Sequence, residues 1–258
     1  MRLSATGITV RFGGLAALDG VGIAVDEASI VGPVGPNGAG KTTLFGVLSG
    51  LLRPQAGTVV FDGADVTRSS PQALARRGMA RTFQHPELFP GLSVREHLSL
   101  AYRMRHQPRR VWTDAVTGGG FRGARRDESE RIARLIGTLG LGAIADGPVL
   151  GLPLGLARLV EIGRALAREP SVLLLDEPSS GLDGGETEAL AGVLVDLVRQ
   201  RGVSLVFVEH DVDLVLRLSD RVFVLDFGRC IAEGTPAEIR VDPAVRAAYL
   251  GAEAGTAG

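Results

Sequence analysis

The residues with the most chemistry in them are Gly35-Pro36-Asn37-Gly38-Ala39-Gly40-Lys41-Thr42-Thr43. This stretch fits the pattern GxxxxGK[ST] without a mismatch. Glycines 35, 38 and 40 permit a tight turn that brings backbone N–H groups against an anion. Gly40-Lys41-Thr42 then opens a helix whose N-terminal dipole favours phosphate. In such a loop Lys41 reaches the β- and γ-phosphates, and the Thr42 hydroxyl binds Mg²⁺. Lys41 is the single lysine among 28 basic residues, and Asn37 is the single asparagine. A chain that otherwise uses arginine throughout keeps a compact ammonium on a flexible stem where a planar fork is no substitute.

Three further positions gain meaning from that loop. Asp176 and Glu177 close the apolar run Val172-Leu-Leu-Leu, about 135 residues downstream. An aspartate at the carboxyl end of a buried strand can hold Mg²⁺ through water, and its neighbour can orient or deprotonate an attacking water. Without the loop, a pair of exposed carboxylates at a turn is the more natural reading; paired with the loop, the functional one prevails. His210 ends Val203-Ser-Leu-Val-Phe-Val-Glu-His210, which puts an imidazole at the end of a neighbouring strand. Gln84, at the end of Met79–Phe83, follows the same logic with a neutral side chain that could touch Mg²⁺ or water. Taken singly, His210 and Gln84 also read as structural or surface residues.

The elements that must position these groups alternate. Ile30–Val34 feeds the loop, and Thr43, Leu44, Val47, Leu48 and Leu51 give the following helix an apolar face. Residues 4–34 read as short strands split at Gly13-Gly14 and Asp19-Gly20. Pro33 conflicts with a strand that must donate to a ladder and implies a strand end or bulge. Thr58–Phe61 is a strand and Pro71–Arg77 a helix. Ser93-Val-Arg-Glu96 is a capping box opening a helix to about Arg105. A second helix carries Ile132, Leu135, Ile136 and Leu139. On the helix 158–168, Leu159, Ile162 and Leu166 are expected to face in, and Arg158, Glu161, Arg164 and Arg168 out. A helix over about 185–200, a strand 204–208, a helix 212–218 and a strand 221–225 complete the pattern. This predicts an α/β fold, a parallel sheet covered by helices, with antiparallel N-terminal strands. The expected organisation is one domain. Its core covers about 1–92 and 158–234, an inserted helical subdomain about 93–157, and a helical tail 235–258 whose last residues, 252–258, are small and polar enough for disorder.

Composition narrows the function classes. A net charge of −1 gives no global field for nucleic acid or a membrane surface. Cys230 is the sole cysteine, so no disulfide framework exists. No apolar run approaches the roughly 20 residues that span a bilayer. The arginines at 103, 105, 109, 110, 122, 125 and 126 are followed at once by Asp127, Glu128 and Glu130. That pattern reads as a solvated insert, or as a contact for a membrane partner's loops or anionic headgroups, rather than a nucleic-acid site.

Together these motifs resemble the ATPase subunits of ABC transporters over about residues 3–251. Gly35–Thr43 looks like Walker A, Gln84 in Arg-Thr-Phe-Gln like the Q-loop glutamine, and Val172–Pro178 like Walker B with its catalytic glutamate. Ser180-Gly-Leu-Asp183 looks like the D-loop and His210 like the switch histidine. The resemblance implies a RecA-like P-loop NTPase fold and a cytoplasmic, membrane-peripheral ATPase that uses ATP and Mg²⁺. It also implies that Phe12 stacks on adenine and that the metal is held by Thr42, Gln84 and Asp176. The stretches Ala80–Gln84, Leu88-Phe-Pro90, Val208–Asp211, Phe227-Gly-Arg229, Gly234-Thr-Pro236 and Ala248–Gly251 resemble the subfamily serving importers of branched-chain and related amino acids. Urea and amide importers share much of it. Implied partners are permease subunits, a second ATPase subunit and, indirectly, an extracytoplasmic binding protein. A weakly active regulatory subunit and a non-transport ABC protein of DNA repair or translation are the alternatives.

One motif departs from the family. Its signatures read LSGGQ or LxYGQ, and residues 152–156 here are Leu-Pro-Leu-Gly-Leu. Gly155 keeps an N–H for a γ-phosphate across a dimer interface. Pro153 has neither hydroxyl nor N–H, and Leu156 replaces the glutamine. A lost charge-assisted hydrogen bond is worth about 1.5–3 kcal/mol. The expectation is a heteromer in which this chain completes a weakened site in its partner, while its own Walker motifs use the partner's signature.

Overall fold

The computed structural model describes residues 1–82, 87–107 and 126–254. Among the described residues, ten strands form two sheets. The first is antiparallel, in the order β2-β1-β4-β5, from β1 (Leu3–Phe12), β2 (Leu15–Val25), β4 (Ala56–Phe61) and β5 (Ala64–Asp65). The second runs β10-β9-β3-β8-β7-β6, from β3 (Ile30–Val34), β6 (Met79–Arg81), β7 (Val172–Asp176), β8 (Ser204–Val208), β9 (Arg221–Asp226) and β10 (Arg229–Gly234). Strands β3, β7, β8 and β9 are mutually parallel, and β10 returns antiparallel on β9. Every residue of β3, β7 and β8 is buried, as continuous apolar runs in a doubly covered sheet require.

Among the described residues the α-helices are α1 (Lys41–Leu48), α2 (Pro71–Arg77), α3 (Val94–His106), α4 (Arg126–Thr138), α5 (Leu154–Leu166), α6 (Gly184–Arg201), α7 (Val212–Leu218), α8 (Pro236–Val241) and α9 (Pro243–Ala254). The chain divides into two compact units. One comprises Met1–Met79, Ser171–Pro178 and Val195–Gly258; the other comprises Ala80–Pro170 and Ser179–Leu194.

Pro33 finds its explanation in the ladder. Strand β3 pairs with β8 only at Ile30 and Val31, while its pairing with β9 continues to Val34. At Pro33 one flank is unpaired, so no donor is required there. Asp19-Gly20 does not split a strand: β2 runs straight through it, and Gly20 at φ 71° takes up a register shift against β1. The capping box at Ser93 is formed, with Ser93 Oγ accepting from the Glu96 amide and Glu96 Oε2 from the Ser93 amide.

Four expectations need correction. Leu51 lies beyond α1 and is 53% exposed. Arg158 and Glu161, expected outside, are buried on α5 with their charged groups 4.0 Å apart. Arg103 is likewise no part of a solvated patch: its Nε donates at 2.7 Å to Glu128, and both are enclosed. Residues 252–254 continue α9. Most of the arginine-rich stretch, 108–125, and the end of the strand leading to Gln84 lie outside the described residues.

Candidate nucleotide and hydrolysis site

The phosphate loop grows out of the buried end of β3. Gly35, Gly38 and Gly40 take φ values of 151°, 80° and 105°, which L side chains rarely adopt. At Gly35 a Cβ would also drive into the Leu225 carbonyl. The Ala39 amide turns back to the Pro36 carbonyl at 3.2 Å, and Gly40 caps α1 in the left-handed conformation. The first-turn amides of α1 are thereby presented at the loop, and no acidic residue sits in that turn to compete for them.

Lys41 is buried, and its Nζ donates to the carbonyls of Gly35 at 2.5 Å and Pro36 at 3.0 Å. Burial pushes the ammonium's pKa down, and the charge of Glu177 opposes that shift. The ammonium is therefore held within the loop itself, one side-chain rotation from whatever the loop encloses. Thr42 is exposed at the same helix start and Thr43 is half-buried, while Asn37 and Gly38 lie exposed at the tip.

Asp176, with 9% exposure, and Glu177 stand where β7 ends. Glu177 has a left-handed backbone, φ 47°, and its amide donates to the Val208 carbonyl at 2.9 Å. That turn carries the chain out of the sheet beside the end of β8, and His210 lies two residues beyond that end. His210 Nε2 and Glu177 Oε1 lie 2.8 Å apart. A non-glycine residue in the left-handed region is costly, and here it aims a carboxylate at an imidazole and at the lysine of the loop. Lys41, Asp176, Glu177 and His210 thus converge in one compact unit, as their spacing implies. Phe12 ends β1 with 54% exposure, opposite an exposed Leu15. Gln84 lies outside the described residues.

In the other unit, Gly155 is buried in the first turn of α5, whose N-cap is Pro153 with no side-chain cap. A Cβ at Gly155 would stand 2.6 Å from Glu186 Oε1. Glu186 itself is fixed by a reciprocal pair: its Oε2 accepts from the Asp183 amide at 3.1 Å, and its amide donates to Asp183 Oδ1 at 2.8 Å. A carboxylate therefore rests against the one position that keeps the signature's glycine.

Two features escaped the sequence reading. Gly228 bridges the loop to β2: its amide donates to the Ala39 carbonyl at 3.1 Å and its carbonyl accepts from Asp19 at 2.8 Å. The β9–β10 turn that carries it has consecutive left-handed residues, Phe227 and Gly228, a geometry that a Phe-Gly pair could have signalled. The Asp183–Glu186 box was visible as an acidic residue followed three positions later by a glutamate.

A family model described as "ABC transporter" matches residues 18–180. The chain belongs to the ABC transporter family. A second model, "Branched-chain amino acid ATP-binding cassette transporter", matches residues 229–255. Among curated relatives, the high-affinity branched-chain amino acid transport ATP-binding protein BraF of Pseudomonas aeruginosa is 36% identical over 249 residues, covering 96% of this chain and 97% of its own length. LivG of Escherichia coli K12, described in the same words, is 37% identical over 251 residues, with the same coverage. Among solved structures, the ADP conformation of MJ1267, an ATP-binding cassette of an ABC transporter, superposes with TM-score 0.83 at 30% identity and covers 97% of this chain and 98% of that one. The fold is that of a P-loop NTPase cassette, and the enzyme is an ATP-binding, ATP-hydrolysing subunit of the kind coupled to a membrane transporter. Among other similar solved cassettes, MJ0796 is dimeric in a post-hydrolysis structure bound to ADP and Pi, and cbiO1 of Clostridium perfringens is part of the ABC transporter complex cbiONQ. Among the described residues no helix is long and apolar enough to cross a membrane.

Proposed function

We propose that this subunit powers the import of branched-chain or related hydrophobic amino acids. It would sit at the cytoplasmic face of the membrane against permease subunits, with an extracytoplasmic protein supplying the substrate. The C-terminal match over residues 229–255 supports the substrate class. The observation that carries the hydrolytic role is the Glu177–His210 pair at 2.8 Å, beside a loop lysine that feels the Glu177 charge.

In this reading the loop amides and Lys41 hold the β- and γ-phosphates, and the ammonium exchanges two backbone carbonyls for phosphate oxygens. Phe12 stacks on the adenine. Glu177 takes a proton from the attacking water, and His210 orients that carboxylate and meets the transferring phosphoryl group. Thr42 and Asp176, with Gln84, would hold Mg²⁺, which neutralises phosphate charge when bound. An exposed hydroxyl at the loop and a carboxylate at the strand end are the oxygen donors that such an ion uses alongside phosphate and water.

The working form is a head-to-tail dimer, and we favour a heteromer. Gly155's amide would face the partner's γ-phosphate without a serine hydroxyl or a glutamine beside it, and with the Glu186 carboxylate packed against its Cα. A negative group there opposes a phosphate instead of assisting it. The site that this chain completes for its partner is therefore the weaker one.

The test is ATP hydrolysis and labelled-leucine uptake by proteoliposomes holding the chain with the membrane subunits that co-purify with it. Glu177→Gln should lower hydrolysis at this site by about 10²–10⁴-fold while leaving ATP binding intact. Full turnover in that variant, or uptake that ignores leucine, isoleucine and valine, would contradict the reading.

A further inference from the structure

His97 is buried on α3, outside the compact unit that holds Lys41 and Glu177. Its ring grips the segment 87–92, which leads into that helix. We propose that His97 is a pH-sensitive clasp: as the neutral imidazole it fastens the segment through the Phe89 amide, and on taking up a proton it lets the segment go. Gln84, assigned above to the metal, lies five residues before Phe89, so the clasp anchors the chain just beyond it. The clasp itself does not depend on that assignment.

One end of the segment is fixed by backbone. The Val149 amide donates to the Leu92 carbonyl at 3.4 Å, and the Val94 and Arg95 amides donate to Gly147 and Ala145. The other end is held by side chains. The Phe89 amide donates to His97 Nε2 at 2.8 Å, and the Phe89 ring stacks on the imidazole with centroids 5.7 Å apart and planes at 23°. Arg164, from α5, adds a second hold: its guanidinium donates to the Glu87 carbonyl and lies 6.0 Å from the centre of the Phe89 ring. Phe89 stays 54% exposed despite these contacts. Burial of apolar area therefore contributes little here, and the directed bonds carry the attachment.

The two ring nitrogens have different tasks. Nδ1 meets the Ser93 carbonyl at 3.0 Å, an acceptor only, so Nδ1 carries the proton and Nε2 offers its lone pair to the Phe89 amide. A second proton must go to Nε2, where it would set one N–H against another and break that bond. Arg164 faces the ring from α5 and opposes an imidazolium, while Glu96 on α3 itself favours one. The Glu96 carboxylate is engaged by the Ser93 amide, Asp146 by Arg95, and Glu87 on the segment is exposed. Burial outweighs the Ser93 carbonyl and, with Arg164 set against Glu96, holds the ring's pKa below its ordinary value. The clasp is thus closed above that ordinary value, and the open form gains weight as pH falls below it. Reciprocally, whatever draws the segment off His97 raises the ring's affinity for a proton.

Hydrogen–deuterium exchange of the full-length protein tests this, for wild type and His97→Gln, between about pH 7.5 and 5.5 with the intrinsic pH dependence of exchange divided out. In wild type, protection over 87–92, which includes the Phe89 and Leu92 amides, should fall by up to about tenfold per pH unit below about 6.5. Over the same range α5 and β7 should remain far better protected. Glutamine offers the Phe89 amide a carbonyl oxygen and does not titrate, so His97→Gln should hold 87–92 with protection independent of pH. Protection at 87–92 that ignores pH in wild type would overturn the clasp. So would an equal fall in His97→Gln, which would place the titrating group elsewhere. Exchange of 87–92 in step with α5 and β7 would also overturn it, as unfolding of the whole rather than release of the segment. If His97→Gln does not fold, the wild-type contrast between 87–92 and these two elements decides by itself.

Discussion

Lys41 shows how one residue's surroundings define its task. Its ammonium is enclosed, bonded to two carbonyls of its own loop and depressed in pKa by burial. A guanidinium is too broad for that nook and cannot turn as a point charge between carbonyls and phosphate. Lys41→Arg should therefore weaken ATP binding by about tenfold or more, roughly 1.4 kcal/mol, with a melting temperature close to wild type; calorimetric titration checks it. Nucleotide affinity equal to wild type would show that the ammonium's fit is irrelevant. At this scale the site was highly legible, because GxxxxGK[ST] and an acidic pair after an apolar strand are local patterns. The left-handed turn at Glu177 that brings its carboxylate to His210 was not, since it depends on where β7 and β8 end side by side.

Elements were legible where they obey their own period or caps. Strand β8, α2 and α7 match the sequence reading to the residue, and α3 is opened by the capping box that Ser93 and Glu96 announce. The failures share a cause. Arg158 and Glu161 read as an outward face because charge predicts exposure, yet both are buried; periodicity finds a face but not what lies against it. The segment before α3 offers a test at this scale. His97 is buried, its Nε2 accepts from the Phe89 amide at 2.8 Å, and its Nδ1 meets the Ser93 carbonyl at 3.0 Å. This arrangement requires the neutral ring. Burial lowers its pKa; Arg164 lowers it further, while the Ser93 carbonyl and Glu96 oppose. A histidine with a depressed folded pKa contributes stability that is present above its unfolded value, about 6.5, and lost as pH falls towards the folded one. Thermal melts should therefore show wild type losing more stability between about pH 7.5 and 5 than His97→Gln does. Parallel pH profiles would exclude His97 as the source.

For the whole molecule, composition excluded more than it identified. A net charge of −1 and a single cysteine removed basic-surface and disulfide scaffolds, and the family matches then agreed with what the ordered motifs implied. What no single chain can display is the second half of a composite site. The central claim is asymmetry: this chain's Walker residues hydrolyse ATP against a partner's signature, while its own Leu152-Pro-Leu-Gly-Leu156 supports the weaker site. The direct measurement is steady-state ATP turnover of the assembled transporter with Glu177→Gln in this chain, beside the matching change in the other ATPase subunit. The account predicts that the first removes nearly all turnover and the second leaves most of it. Equal losses from the two changes, or turnover that survives Glu177→Gln, would contradict it.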